Sequence, residues 1–98
     1  GGNAEALSVE NMSVSAICLR LDLTAYTDPF TWHDSTYDMA SLSLDEKLQV
    51  LMPAAEELTQ GTPLIPCVVR GNMSDEELNT VLDALYDDGY RTLLVSDT

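Results

Sequence analysis

The stretch "LIPCVVRGNMSDEELNTVLDALYDDGYRTLLVS", residues 64–96, decides the fold. It opens with an apolar run of strand length, ends with another, and has a capping box between them, in which Ser74 precedes Glu77 by three residues. Apolar side chains then recur at helical spacing at Leu78, Val81, Leu82 and Leu85. A strand–helix–strand unit of this length predicts two parallel strands joined by a right-handed crossover.

A second unit of the same kind precedes the first. Residues 17–23 alternate apolar and other side chains, which is typical of a half-buried strand. Ser43 and Glu46 form another capping box, which predicts the start of a helix. Its apolar stripe consists of Leu44, Leu48, Leu51, Ala55 and Leu58. Pro53 predicts a kink or a break near residues 49–53, and Gly61 with Pro63 predicts the end of this helix.

These patterns predict an α/β fold with a small, mostly parallel sheet of three strands. The chain order is β-loop-α-β-α-β, with both helices mainly on one face of the sheet and the other face open. Pro66 lacks an N–H group, so its strand needs an edge or a bulge at that point. We expect a flexible N-terminal segment over residues 1–12 and a single α/β domain over residues 13–98, which the small sheet marks as a candidate piece of a larger protein.

The charge of the chain is strongly one-sided. Its 98 residues include 17 Asp and Glu but 4 Lys and Arg, which gives a net charge of −13. Such a field repels nucleic acid and anionic membranes, so neither is an expected partner. No apolar run reaches the roughly 18 residues of a membrane span. An acidic surface suits solubility, a basic partner or divalent cations.

The cellular compartment is weakly indicated. The sequence begins without Met, as a processed protein or an excised piece would, and this slightly favours an extracellular or cell-surface location over a cytoplasmic one. Cys18 and Cys67 both fall in predicted strands. A disulfide between them requires neighbouring strands in matched register, and otherwise they are free thiols behaving as small hydrophobes.

The segment "YTDPFTWHDSTYDM", residues 26–39, concentrates the aromatic side chains, including the only Phe, Trp and His of the chain. It reads as a long loop after the first strand. In one interpretation Phe30 and Trp32 fold back over the open end of the core or the open sheet face. In the other they form a recognition surface, where aromatic residues are enriched. The two interpretations are compatible.

Polar residues follow each predicted strand, where open parallel sheets bind ligands. Asp22, Arg70 and Asp97 are expected on one rim, beneath the aromatic loop. The candidate ligand-binding residues are Asp22, Asp28, Phe30, Trp32, His33, Asp34, Arg70 and Asp97. The structural alternative is an ion pair between Asp22 and Arg70, with Asp97 simply in solvent.

The sequence predicts no catalytic residue, metal site or cofactor. A single histidine rules out a multi-histidine metal site, and no nucleophile–base arrangement can be assigned. Asp28, Asp34 and Asp38 lack the spacing and the glycine of an EF-hand loop. A glycine-rich phosphate loop is missing as well.

The favoured function is a non-catalytic interaction or accessory module of a larger secreted or surface protein, with residues 26–39 as the binding surface. Its partner would be a protein or a neighbouring domain, with carbohydrate as the second candidate. The alternative from another class is part of a carbohydrate-active hydrolase, with carboxylates at the strand ends. A nucleic-acid mimic has little support, since the acidic residues are spread along the whole chain.

Overall fold

The computed structural model describes residues 16–98, so the N-terminal segment expected to be flexible lies outside the described residues. The order of elements confirms the predicted α/β fold, with two additional short strands inside the long loop. The elements are β1 (Ile17–Leu21), β2 (Phe30–Trp32), β3 (Ser35–Tyr37), α1 (Leu44–Leu58), β4 (Leu64–Val69), α2 (Asp75–Asp87) and β5 (Leu94–Ser96). Short 3₁₀ turns at Leu23–Ala25 and Met39–Ser41 flank the β2–β3 segment.

The main sheet is parallel, with strand order β1-β4-β5. Because this order follows the chain, right-handed crossovers place α1 and α2 on the same face, as predicted. The core lies between these helices and the sheet. Its buried residues are Leu21, Leu23, Leu48, Met52, Leu64, Val68, Met73, Val81 and Leu85.

Pro66 occupies the middle of the central strand without breaking a ladder. The Ile17 N–H donates to the Pro63 carbonyl at 2.8 Å, so the odd-numbered residues of β4 bond to β1. The nitrogen of Pro66 therefore faces the β5 side. Since β5 begins only opposite Cys67, the sheet has an edge at that point, as the sequence predicted.

Both helices begin with the predicted capping boxes. The backbone N–H of Ser43 donates to Glu46 at 2.9 Å, and the Glu46 N–H donates to the Ser43 hydroxyl at 3.2 Å. The bond from the Ser43 backbone holds the pKa of Glu46 below its ordinary value. Ser74 and Glu77 repeat the same pair of bonds at the start of α2.

Of the kink or break expected near residues 49–53, the break is not formed, because α1 continues through Pro53 to Leu58. Pro53 and Gln49 are both exposed. The Gln49 carbonyl, which loses its intrahelical donor at this proline, therefore lies on the solvent side. At the end of α1 the left-handed conformation begins at Gln60 (φ 52°), one residue before the glycine that was expected to stop the helix.

The two cysteines are free thiols. Their strands are neighbours, but Cys18 pairs with Ile65, two residues away from Cys67. This stagger puts their Cα atoms about 8 Å apart, from a strand spacing of about 4.8 Å and a rise of about 3.3 Å per residue. A disulfide needs a shorter separation.

Candidate functional site

The segment predicted as a loop folds into a β-hairpin. β2 and β3 pair antiparallel, with Phe30 opposite Tyr37 and Trp32 opposite Ser35. The two-residue turn contains His33 in the left-handed region (φ 54°), which histidine adopts more readily than most residues. On the outer face of the hairpin the hydroxyls of Thr31 and Thr36 lie 3.1 Å apart.

The tip of the hairpin lies beside the end of α1. The Nε2 atom of His33 is 3.0 and 3.1 Å from the two carboxylate oxygens of Glu57. α1 runs from the carboxyl ends of the strands towards their amino ends, so its last turn is about 20 Å from its first. The expectation that this segment sits over the carboxyl ends of the strands is therefore corrected, because the hairpin extends along α1 instead.

Phe30 and Trp32 form an aromatic pair on one face of the hairpin. Their ring centroids are 6.5 Å apart and their planes lie within 8° of parallel. Both side chains are partly exposed. Within residues 16–98, neither belongs to the side chains that pack against the core, whereas Tyr26 does. The two rings are therefore not part of the cluster between the helices and the sheet, and Phe30 lines a groove beside the buried Met39.

A groove separates the base of the hairpin from α1. It is lined by residues 25–30, Met39 and Leu51, and it has a volume of about 390 Å³. Met39 is buried and Leu51 is partly buried, so the floor of the groove is apolar. Asp28 and Phe30 lie on its wall. The groove can therefore hold an apolar chain whose end reaches a carboxylate.

The carboxylates of the hairpin are exposed and are not neutralised by the chain itself. None of the ion pairs among residues 16–98 involves Asp28, Asp34 or Asp38. All four basic side chains of the protein are engaged elsewhere. Arg20 lies near Asp22, Lys47 donates to the Leu23 carbonyl, Arg70 pairs with Asp75, and Arg91 donates to the Tyr86 carbonyl.

The residues expected on one rim follow the three parallel strands, but no ion pair among the described residues joins them. Asp22 follows β1 and Asp97 follows β5, and these outer strands are separated by β4, a distance of about 9.6 Å for two strand spacings. Arg70 pairs with Asp75 and its Nε donates to the Met73 carbonyl at 3.3 Å. The ion pair between Asp22 and Arg70 is not formed, because Asp22 lies 4.0 Å from Arg20. The hairpin residues and the rim residues thus form two separate groups.

Two side-chain hydrogen bonds were not predicted from the sequence. Lys47 is only 6% exposed, and its Nζ donates to the Leu23 carbonyl at 2.7 Å. Its position on the apolar stripe, between Leu44 and Leu51, was a signal that could have revealed it. The Tyr90 hydroxyl donates to Glu56 at 2.8 Å. Burial of the hydroxyl is the larger cause, and the Glu56 carboxylate the smaller one, of a raised pKa of Tyr90. No local sequence pattern predicts the contact between Tyr90 and Glu56.

Replacing the aromatic pair tests whether these rings stabilise the fold. We expect Phe30→Ala/Trp32→Ala to lower the free energy of unfolding by only about 1 kcal/mol, because the rings lie outside the core. Urea unfolding followed by circular dichroism measures the change. Met52→Ala, at a residue 1% exposed, is the positive control. A loss above about 3 kcal/mol in the double variant would show that the rings are core packing.

Neither the geometry of the described residues nor a comparison with known proteins identifies a metal site, a membrane-spanning helix or a family. Among residues 16–98, no group of three or more His, Cys, Asp or Glu side chains is arranged to hold a metal ion. The helices within this range are too short or too polar to cross a membrane. No protein-family model, curated protein or solved structure matches the chain.

Proposed function

We propose that this chain is a non-catalytic interaction module that binds a partner through the hairpin of residues 26–39. The observation that carries this proposal is the aromatic pair of Phe30 and Trp32. Two large rings lie nearly parallel and partly exposed, outside the cluster between the helices and the sheet, on one face of the hairpin. Phe and Trp are enriched at protein interfaces, and Trp is among the residues that most often dominate binding energy there.

The construction of the hairpin also supports a binding role. Its principal contacts are between its own two strands. A two-stranded hairpin alone is only marginally stable, and the contact between His33 and Glu57 joins its tip to α1. A small element placed on a rigid scaffold is a common way of presenting binding residues.

A neighbouring domain is a second kind of partner, and the sheet favours it. Leu94 on the outer strand β5 is 48% exposed, and its pairing with Cys67 puts it on the sheet face opposite the helices. Cys18 is exposed on the sheet face opposite the helices. These side chains would be covered if the chain packs against another domain of a longer protein. The extracellular or cell-surface location stays a prediction from the sequence.

The hydrolase alternative has less support. A glycosidase needs two carboxyl groups about 5–10 Å apart that face one cleft. Strand spacing allows such a separation for Asp22 and Asp97, but Asp97 is exposed at the end of β5 and Asp22 already lies near Arg20. Among the hairpin carboxylates, Asp28 lies on the wall of the groove beside α1. We therefore propose no reaction.

A chemical-shift survey tests the proposed function. The ¹⁵N-labelled protein is titrated separately with calcium, a glucose oligosaccharide, an arginine-rich peptide and a glutamate-rich peptide. We expect at least one probe to shift the amide signals of residues 26–39 in a saturable manner, with α2 unaffected. Phe30→Ser/Trp32→Ser should abolish the shifts while leaving the spectrum of the core intact. If none of the probes perturbs these residues, the hairpin is not a ligand-binding surface of this kind.

A further inference from the structure

We propose that the hairpin and its groove bind an extended basic peptide segment, with arginine guanidinium groups against the rings of Phe30 and Trp32. The inference rests on the proposed function, because it names the chemistry of the partner for the same surface. Four observations carry it: the spacing of the two rings, the unneutralised carboxylates, the engagement of every basic side chain of the protein, and the apolar floor of the groove.

The ring geometry suits a planar cation. Optimal contact between non-bonded carbon atoms is about 3.5–4.0 Å, so two rings that both contact one planar group have centroids about 7 Å apart. The centroids of Phe30 and Trp32 are separated by 6.5 Å and the rings are nearly parallel. A guanidinium group is planar and stacks on aromatic faces, which the tetrahedral ammonium of lysine cannot do.

The charge of the hairpin selects the same class of ligand. Asp28 and Asp38 lie at its base and Asp34 lies at its tip, so carboxylates border the ring pair at both ends. The four basic side chains of the chain cannot neutralise them without leaving their present partners. A positive segment from another molecule therefore meets complementary charge here, and the net charge of −13 attracts it from a distance.

The groove accounts for the aliphatic part of such a segment. Its floor is formed by Met39 and Leu51, and Asp28 lies on its wall. Arginine covers apolar surface with its methylene stem while its charged end stays polar. Each strand of the hairpin is three residues long, or about 10 Å, which matches about three residues of an extended peptide. A neutral sugar would use the rings but would gain much less from the three carboxylates.

Trp32 provides a direct readout, because it is the only Trp of the protein. The probe is an eight-residue peptide of alternating Arg and Gly, titrated into the full chain at low ionic strength. We expect saturable change of the Trp32 fluorescence and weaker binding as salt is added. The same peptide with Lys in place of Arg should bind about 2–5-fold more weakly, since it loses the stacking contribution. A peptide of alternating Glu and Gly should not bind.

A pair of charge-matched variants separates the hairpin from the general acidity of the protein. Asp28→Asn/Asp34→Asn/Asp38→Asn removes three negative charges from the hairpin. Asp83→Asn/Asp87→Asn/Asp88→Asn removes three from the exposed surface of α2 and the residue after it. We expect the hairpin variant to lose about tenfold in affinity by calorimetry, and the α2 variant to lose less than about threefold. Circular dichroism checks that both variants are folded.

Each other outcome has a defined meaning. Equal weakening in the two triple variants would show that binding is bulk electrostatics and would overturn the inference. Equal affinity for the Arg and Lys peptides would overturn the role of the ring pair. If the oligosaccharide perturbs residues 26–39 and the Arg peptide does not, the ligand class is wrong, while the proposed function stands. If no probe perturbs the hairpin, both fail.

Discussion

Leu48→Ala should lower the free energy of unfolding by about 3–5 kcal/mol, the range for a leucine truncated in a well-packed core. Leu48 lies on the inner face of α1 and is 2% exposed. It belongs to the single cluster that joins both helices to the sheet. Because a domain of this size has only about 5–15 kcal/mol of stability, this one substitution should remove a large part of it. Urea unfolding followed by circular dichroism measures the loss.

The matched control is on the same helix. Leu58 is 68% exposed at the end of α1, so Leu58→Ala removes the same atoms without opening a cavity. We expect a change within about 0.5 kcal/mol. If both variants lose similar stability, burial is not what distinguishes the two sites, and the assignment of the inner face of α1 is wrong.

Gly71→Ala should destabilise the protein by about 2–3 kcal/mol. Gly71 has φ +54°, which costs an L-residue about 1–2 kcal/mol. A Cβ added there would lie 2.7 Å from the Thr24 Oγ1 atom and 3.6 Å from Asp22 Oδ1, so the turn after β4 contacts the turn after β1 directly. The loss is measured by the same unfolding experiment.

Two further variants separate strain from collision. Gly61→Ala adds a Cβ at φ +84° with no heavy atom within 4 Å. Its loss of stability therefore comes from the left-handed backbone conformation alone. Combining Gly71→Ala with Thr24→Ala removes the collision and should recover about 1 kcal/mol relative to the sum of the single variants. Equal losses for Gly61→Ala and Gly71→Ala would contradict the close approach of the two turns.

The sheet and its helices could be predicted because each signal is local. Both capping boxes consist of residues three positions apart, and the stripes of α1 and α2 recur at a fixed helical period. Pro66 even indicated the sheet edge beside the central strand. Chain order and crossover handedness then determined which face carries the helices.

The hairpin could not be predicted, because it carries no local signal of this kind. Its strands are only three residues long, too short for a period-two pattern to be recognised. Its turn has no glycine, because His33 supplies the left-handed conformation. Its tip meets α1 through the contact between His33 and Glu57, two residues far apart in the chain. Local patterns cannot report such a contact, so the sequence placed residues 26–39 at the wrong end of the sheet.

The separation of Phe30 and Trp32 from the core has a consequence for how this protein can change over generations. Substitutions at the two ring positions and at the carboxylates beside them alter the hairpin without opening a cavity between the helices and the sheet. If the hairpin has the proposed binding function, one set of residues determines stability and another determines recognition. A lineage could change what the hairpin contacts by single steps, while the fold beneath it stays under constant selection.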